Sequence, residues 1–334
     1  VSRLHSTPAQ HGNATEEVSM LDVRRLRMLQ HLAAYGTIAA TADALHLTGP
    51  AVSQQLAVLE REAGVPVVEK RGRRLCLTPA GELLVAHAEV ILGDLAAAES
   101  DLAALRGGHH GVLRVTAFAS VARTLLPRVY QLLARPVGET APRLTVRLDE
   151  QEPDQALEAL QKHRADVVVA HSYTVLPRNF PQNSRQDVLM EDPVLLCLHP
   201  DRARSLGLSP GQPADLARLA DAPWLTPSPE VSCYEMIQRT CGTAGFVPDI
   251  RVRSSDFAVL VALVAADAGV ALAPRLAIPE SHDGVSLHPL LAPVTRTICT
   301  VVRSGSTRNP DVHLFRSLLE QAVAQHEPTQ RDQI

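Results

Sequence analysis

The stretch Leu32–Leu59, LAAYGTIAATADALHLTGPAVSQQLAVL, constrains the fold of this 334-residue chain more than any other. Ala40, Ala42 and Leu45 recur at helical spacing, as do Val52, Leu56 and Leu59, on either side of a tight break at His46-Leu47-Thr48. Small residues at Ala39–Ala42 allow a second helix to approach closely. Thr48 is placed to cap the second helix, and Pro50 suits its first turn, where the missing N–H would be unsatisfied anyway. This is the pattern of a helix-turn-helix, whose second helix enters the DNA major groove. An ordinary helical hairpin in a globular core is the competing reading, and the flanking sequence decides between them.

Upstream, Asp22 can cap a helix to about Tyr35 with Leu26, Leu29 and Leu32 as its buried stripe, ended by Gly36. The second helix is expected over about Ile38–Leu45 and the third over about Pro50–Ala63, with Gly64 at its C-cap. Residues 65–78, VPVVEKRGRRLCLT, read as a short hairpin or wing. Its tip carries Lys70, Arg71, Arg73 and Arg74, and counterion release rewards such clusters on phosphate. From Asp22 to Thr78 there are eight basic and five acidic residues, a net +3 in a chain of net charge -4. A basic head on an acidic body favours nucleic-acid binding over a core hairpin.

Thr78-Pro79-Ala80-Gly81-Glu82 opens a long helix to about Leu105, with Leu83, Leu84, Ala88, Ile91, Leu92, Leu95, Ala98, Leu102 and Leu105 as an apolar stripe. Some 27 residues make ~40 Å of helix, too long to bury that stripe on a small winged domain. Pairing with a second copy is the expectation; packing along its own chain's body is the lesser alternative. Gly107–Gly111 reads as a flexible joint whose His109 and His110 face solvent, not a metal. Beyond it, strands are expected at Val112–Phe118, Leu144–Asp149, Ala165–Ala170, Val194–Leu198, Ile250–Val252, Val270–Ala273, Ser286–His288 and Thr297–Val302. Helices are expected at Val121–Leu133, Pro153–His163, Cys233–Ala244, Phe257–Ala268 and Pro310–His326. Such βα alternation implies an α/β fold with open, largely parallel sheets, here in two lobes forming a hinged clamshell.

No apolar run approaches the ~20 residues of a membrane span. The polar residues 1–20 lack a secretory h-region and read as a disordered extension, so a cytoplasmic protein is expected. The five cysteines include no C-x-x-C pair, so neither a zinc cage nor a disulfide framework is signalled. G-x-G-x-x-G, Walker A, G-x-S-x-G and H-E-x-x-H are all missing, which argues against an enzyme and against a cofactor. A solute-binding protein or metabolic enzyme domain is the other function class, and residues 22–78 speak against it.

With these pieces in order the sequence resembles the LysR-type transcriptional regulators. The resemblance rests on Gly36-Thr37-Ile38, Ala40–Leu45, Pro50-Ala51-Val52-Ser53-Gln54-Gln55-Leu56, Leu59-Glu60 and Leu77-Thr78-Pro79-Ala80-Gly81, and on Gly269–Pro274 in the C-terminal part. Departures are Val67-Val68 for the family's Leu-Phe, Lys70 for an Arg, and Gly49 for a Gln. The resemblance implies a winged helix-turn-helix at 21–78, a linker dimerisation helix at 79–106 and a hinge at 107–111. It further implies an effector domain like a periplasmic binding protein, with lobe I at 112–185 and 285–327 and lobe II at 186–284. As partners it implies double-stranded promoter DNA with an inverted repeat, a small-molecule effector, further copies in a homodimer or homotetramer, and RNA polymerase.

For DNA the expected contacts are Thr48, Pro50, Ser53, Gln54 and Gln55 on the reading helix, and Lys70, Arg71, Arg73 and Arg74 on the wing. Gln54 is the first choice for base readout, because Gln pairs bidentately with adenine; the wing cations position without specifying. The resemblance puts Ser120, Val121, Gln151, His171, Ser172, Thr226, Pro227 and Ser228 at the effector cleft. Ser120 opens a helix and can offer a hydroxyl and N–H groups to an anion, or simply cap that helix. No Arg follows the strand at 165–170, so the effector's charge stays open. Cys233 and Cys241 lie in the helix where peroxide-sensing relatives carry redox cysteines. On a continuous helix they stand ~12 Å apart, too far for a disulfide, so a redox response is the alternative reading.

Overall fold

A computed structural model describes residues 20–71, 74–105, 110–135 and 143–331. The extension at 1–19, the wing tip at Gly72 and Arg73, the Arg74 side chain and joint residues 106–109 lie outside the described residues. The chain divides into two compact units, Val1–Ala88 and Glu89–Ile334.

In the first unit, α1 (Val23–Tyr35), α2 (Ile38–Leu45) and α3 (Gly49–Ala63) are followed by the hairpin β1 (Val68–Arg71) and β2 (Arg74–Leu77). Each helix start is fixed locally. Asp22 accepts from the Arg24 N–H, Thr37 from Ala40 and Thr48 from Ala51. His46 ends α2 in the left-handed region (φ 54°), turning the chain between α2 and α3 without a glycine. Leu26, Leu29, Leu32, Ala42, Val52, Leu56, Leu59 and Val67 form the core with Val85 and Ala88 of α4 (Pro79–Leu105). The Thr78 hydroxyl caps α4 at the Gly81 N–H and donates to the Pro66 carbonyl.

In the second unit the elements run β3 (His110–Ala117), α5 (Ala119–Thr124), α6 (Leu126–Ala134), β4 (Arg143–Glu150), α7 (Pro153–Gln161), β5 (Val167–Tyr173), β6 (Ser184–Leu198), α8 (Pro200–Ser205), β7 (Pro223–Thr226), α9 (Ser232–Thr243), β8 (Asp249–Arg253), α10 (Phe257–Ala265), β9 (Ala271–Pro274), β10 (Ser286–Pro289), β11 (Thr295–Arg303) and α11 (Pro310–Arg331). The main sheet has the order β10-β6-β11-β5-β3-β4, with β9 also on β6.

Only β3 pairs in parallel there, with β4 and β5; β11 and β6 run antiparallel to their neighbours, so the sheet is mixed where a largely parallel one was expected. The reason is β6. It is a 15-residue strand whose first half pairs β11 and whose second half pairs β9 and β10. Its polar first half, Ser-Arg-Gln-Asp, hides it from an apolar-run criterion that finds only Val194–Leu198.

The expected helix Val121–Leu133 is two helices meeting at Leu125, because Pro127 has no N–H to continue the ladder. Strand β7, parallel to β8, and helix α8 were not foreseen. Two large cores result. One gathers Leu113, Val115, Val121, Leu126 and Val129 with Phe315 and Leu319; the other surrounds Trp224 with Leu196, Met236, Ile237 and Leu272.

The second half of α4 packs along its own chain's body, the arrangement ranked below self-pairing from sequence. Gly93 meets the Gly305 carbonyl so closely that a Cβ there would lie 1.7 Å from the oxygen, and Arg308 pairs with Asp94 at 3.0 Å. Leu83, Val90, Ile91, Leu95 and Leu102 stay exposed on the same helix. No helix among the described residues is long and apolar enough to cross a membrane.

Gly81 sets a stability test for the first unit. A Cβ at 81 would lie 2.1 Å from the Val67 carbonyl oxygen, and backbone cannot move aside cheaply. Gly81→Ala should destabilise this unit by ~1–3 kcal/mol, read as an earlier helical melt by circular dichroism. Fluorescence of Trp224, which reports the second unit and is the only tryptophan of the chain, should keep its midpoint.

Candidate functional site

The first unit presents α3. Its buried face, Val52, Leu56 and Leu59, leaves Ser53 and Gln54 exposed near the N-terminus. The Thr48 hydroxyl is taken by the cap at 3.4 Å, and Pro50 is exposed in the first turn. Gln55 differs from Gln54, because its side-chain carbonyl accepts from Arg25 Nη1 at 3.3 Å, and Arg25 is held in turn by Glu62. Gln54 is therefore the glutamine free to meet a base edge. On the wing Lys70 is exposed, whereas Arg71 is paired with Glu69 at 2.6 Å. Arg73 and the Arg74 side chain lie outside the described residues.

In the second unit a cavity of about 210 Å³ opens beyond the C-terminal ends of parallel strands β3, β4 and β5. Such strand ends are the usual ligand position in α/β sheets. Three predicted residues meet there: Ser120 from α5, Gln151 after β4 and His171 on β5. The others do not line it. Val121 is fully buried in the core; Ser172 points off the cavity wall; Thr226 is buried at the end of β7, with Pro227 and Ser228 following it.

Sequence reasoning missed the residues that organise this cavity. Arg296 of β11 lies on its floor, bonded through Nε (3.0 Å) and Nη2 (2.6 Å) to Asp192 Oδ2, and through Nη2 to the Ser120 hydroxyl at 3.0 Å. Both partners of the ion pair are buried, 4% and 0% exposed. Asp192 Oδ1 also accepts the Leu276 N–H, and the guanidinium lies 4.9 Å from the Phe118 ring centre. The Ser120 hydroxyl does not cap α5; it accepts from Arg296, which leaves its own proton to donate.

A second network joins the opposite wall. The Ser232 hydroxyl donates to Glu152 Oε2 (3.0 Å), which also accepts the Ser232 N–H (3.1 Å), and His171 Nε2 lies 2.9 Å from the same hydroxyl. Phe118 and Tyr173 enclose the His171 ring edge-on at 4.4 and 5.2 Å.

Comparison with known proteins accords with this geometry. The model of the bacterial regulatory helix-turn-helix protein, lysR family, matches residues 23–82, and that of the LysR substrate binding domain matches 106–324. The chain belongs to the LysR family. It is a DNA-binding transcriptional regulator and not an enzyme. It is 28% identical over 296 residues to the DNA-binding transcriptional dual regulator OxyR of Escherichia coli K12, across 86% of this chain and 90% of that protein. It is also 28% identical over 318 residues to the probable hydrogen peroxide-inducible genes activator of Streptomyces viridosporus, across 90% and 97%. Full-length OxyR from Pseudomonas aeruginosa shares the fold, with a TM-score of 0.57 at 21% identity over 91% of this chain and 95% of that one.

Within this LysR-type chain, Cys233 and Cys241 sit buried on α9, and burial pushes both thiols up to about 12. Cys233 lines the cavity beside Tyr173. The reactive form of cysteine is the thiolate, which this environment disfavours. Burial also drives His171 well below its usual range, and the charges of Arg296 and Arg178 add to the effect.

Two outcomes follow. Arg296→Met leaves Asp192 buried without its counter-charge and should cost ~3–5 kcal/mol; adding Asp192→Leu should restore most of the loss in urea unfolding followed by Trp224. The native domain also refuses a proton at His171 that the unfolded chain binds below about pH 6.5. His171 therefore contributes full stability above that pH and loses it as pH falls, so the Trp224 midpoint should drop between pH 7 and pH 5, less steeply in His171→Gln.

Proposed function

We propose that this LysR-type regulator reads promoter DNA with α3 and the wing, and that a small metabolite bound in the 210 Å³ cavity modulates promoter binding or activation. The observation that carries the effector reading is the meeting of Ser120, Gln151 and His171, from three elements, at the C-terminal ends of three parallel strands. For DNA, Gln54 is the base reader, and Thr48, Pro50, Ser53 and Gln55 shape and orient the helix. Lys70, with Arg71, Arg73 and Arg74, meets phosphates. The exposed apolar residues of α4 suit pairing with a second copy, giving a dimer or tetramer on an inverted repeat. RNA polymerase is the further partner, and the cytoplasm is the compartment in which all of these meet.

A second reading, response to peroxide, draws support from the names of the relatives above. The buried, protonated thiols of Cys233 and Cys241 weigh against it. Promoter occupancy of the unsubstituted chain that changes with metabolite and not with peroxide would leave the first reading alone; a peroxide response lost in the Cys233→Ser, Cys241→Ser double variant would favour the second.

DNA binding is tested on the region upstream of the gene. Gln54→Ala should alter preference at one or two base pairs, by ~1–3 kcal/mol each. Lys70→Ala should weaken all sequences alike and reduce the salt slope by about one. Equal losses on operator and random DNA for both variants would overturn the division of labour.

A further inference from the structure

The cavity's polar atoms state what kind of ligand they await, and this step rests on reading the cavity as the effector site. Among the lining residues Arg296 is the only Lys or Arg, and it is already paired with the buried Asp192. Glu150 and Glu152 line the opposite side, and no lysine or arginine of the lining stands against them. A carboxylate ligand would enter against two carboxylates with no spare cation to receive it.

The buried hydrogen-bonding groups point the same way. The Ser232 hydroxyl has a single proton, and the Glu152 carboxylate can only accept, so that proton goes to Glu152. Ser232 Oγ then accepts from His171 Nε2–H, which leaves His171 Nδ1 as a bare acceptor. This nitrogen is buried, in a residue 2% exposed, and has no hydrogen-bond partner. Gln151 Oε1 is likewise buried without a partner. Two orphaned acceptors on residues that line one cavity are satisfied together by a group that carries several donors. Buried polar atoms left unpaired cost stability, so a donor that reaches them gains affinity.

The remaining wall is aromatic. Phe118, Tyr173 and Phe257 line the cavity, and Phe257, the one of the three that is only partly buried, offers ring surface to an apolar body. At ~30 Å³ per water the space holds about seven waters, the size of a small metabolite.

We propose that the effector is a small organic ammonium: a primary amine, protonated at neutral pH, on a compact apolar body. Its three N–H donors address His171 Nδ1, Gln151 Oε1 and the Glu152 carboxylate, and its body lies against Phe257.

The test uses the full chain and matched probes at millimolar concentration: benzylamine against benzoate, phenethylamine against phenylacetate, and putrescine against succinate. Thermal unfolding is followed at Trp224, and affinity by calorimetry. At least one amine should raise the unfolding temperature while its carboxylate counterpart leaves it unchanged. Glu152→Gln keeps an acceptor for Ser232 but removes the charge, and should weaken the amine at least tenfold. Gln151→Leu removes an acceptor that the protein itself does not use, so it should fold normally and still lose amine affinity. Tighter binding of a carboxylate than of its amine, or failure of every amine to bind, overturns the ammonium. A carboxylate whose binding is lost in the Gln151 and His171 variants would do so while leaving the effector cavity in place. A ligand that binds regardless of Gln151, Glu152 and His171 would remove the cavity reading as well.

Discussion

The buried pair of Arg296 and Asp192 is the interaction on which the substrate binding domain most depends. An isolated charge in that position would be intolerable, and two are acceptable only because each is fully engaged. Asp192 receives Arg296 and the Leu276 N–H; Arg296 receives Asp192, the Ser120 hydroxyl and the face of Phe118. Four pieces of chain are thereby fixed to one point: β6, β11, the start of α5 and the turn at 275–277. Of these, β11, the start of α5 and the turn at 275–277 line the cavity through Arg296, Ser120 and Ala277, so the pair fixes that side of it. The same pair engages the one arginine of the lining, to which Glu150 and Glu152 also belong.

Strand β11 carries that constraint further. Arg296 lies near its start and Arg303 at its end, where Arg303 donates to the Leu160 and Ala165 carbonyls and pairs with Asp166. Burial pushes the Asp166 carboxyl up, but hydrogen bonds from Arg114 outweigh it and hold the group below its usual range. Directly after Arg303, residues 304–306 meet α4 through the glycine contact at 93 and 305. Nine residues of strand, ~30 Å at 3.3 Å each, thus run without interruption from the cavity floor to the linker helix.

The DNA-reading unit was legible in the sequence almost to the residue, because its determinants are local. Caps at Asp22, Thr48 and Thr78 act over two or three residues, and the stripes Leu26/Leu29/Leu32 and Val52/Leu56/Leu59 repeat at the period of one helix. The cavity of the second unit was legible only in part. Ser120, Gln151 and His171 follow strand ends and could be placed by topology. Arg296 could not: it falls just before the expected strand Thr297–Val302, and its partner Asp192 is 104 residues away. Glu152 and Ser232, 80 residues apart, carry no local signal either. Nor did the residue pattern disclose that β6 spans fifteen residues, since its first half is polar.

The sequence by itself determined the helix-turn-helix, the wing, the long capped helix and the α/β character of the rest, because helix caps, apolar periods and turn residues act through neighbours in the chain. Tertiary structure alone decided that the sheet is mixed, that the linker helix seats against 304–306, that Gln55 is tied to Arg25 while Gln54 is free, and that the cavity is acceptor-rich with its one arginine already spent. Each of those outcomes depends on which distant charges and donors come within bonding reach, and no spacing along the chain encodes that.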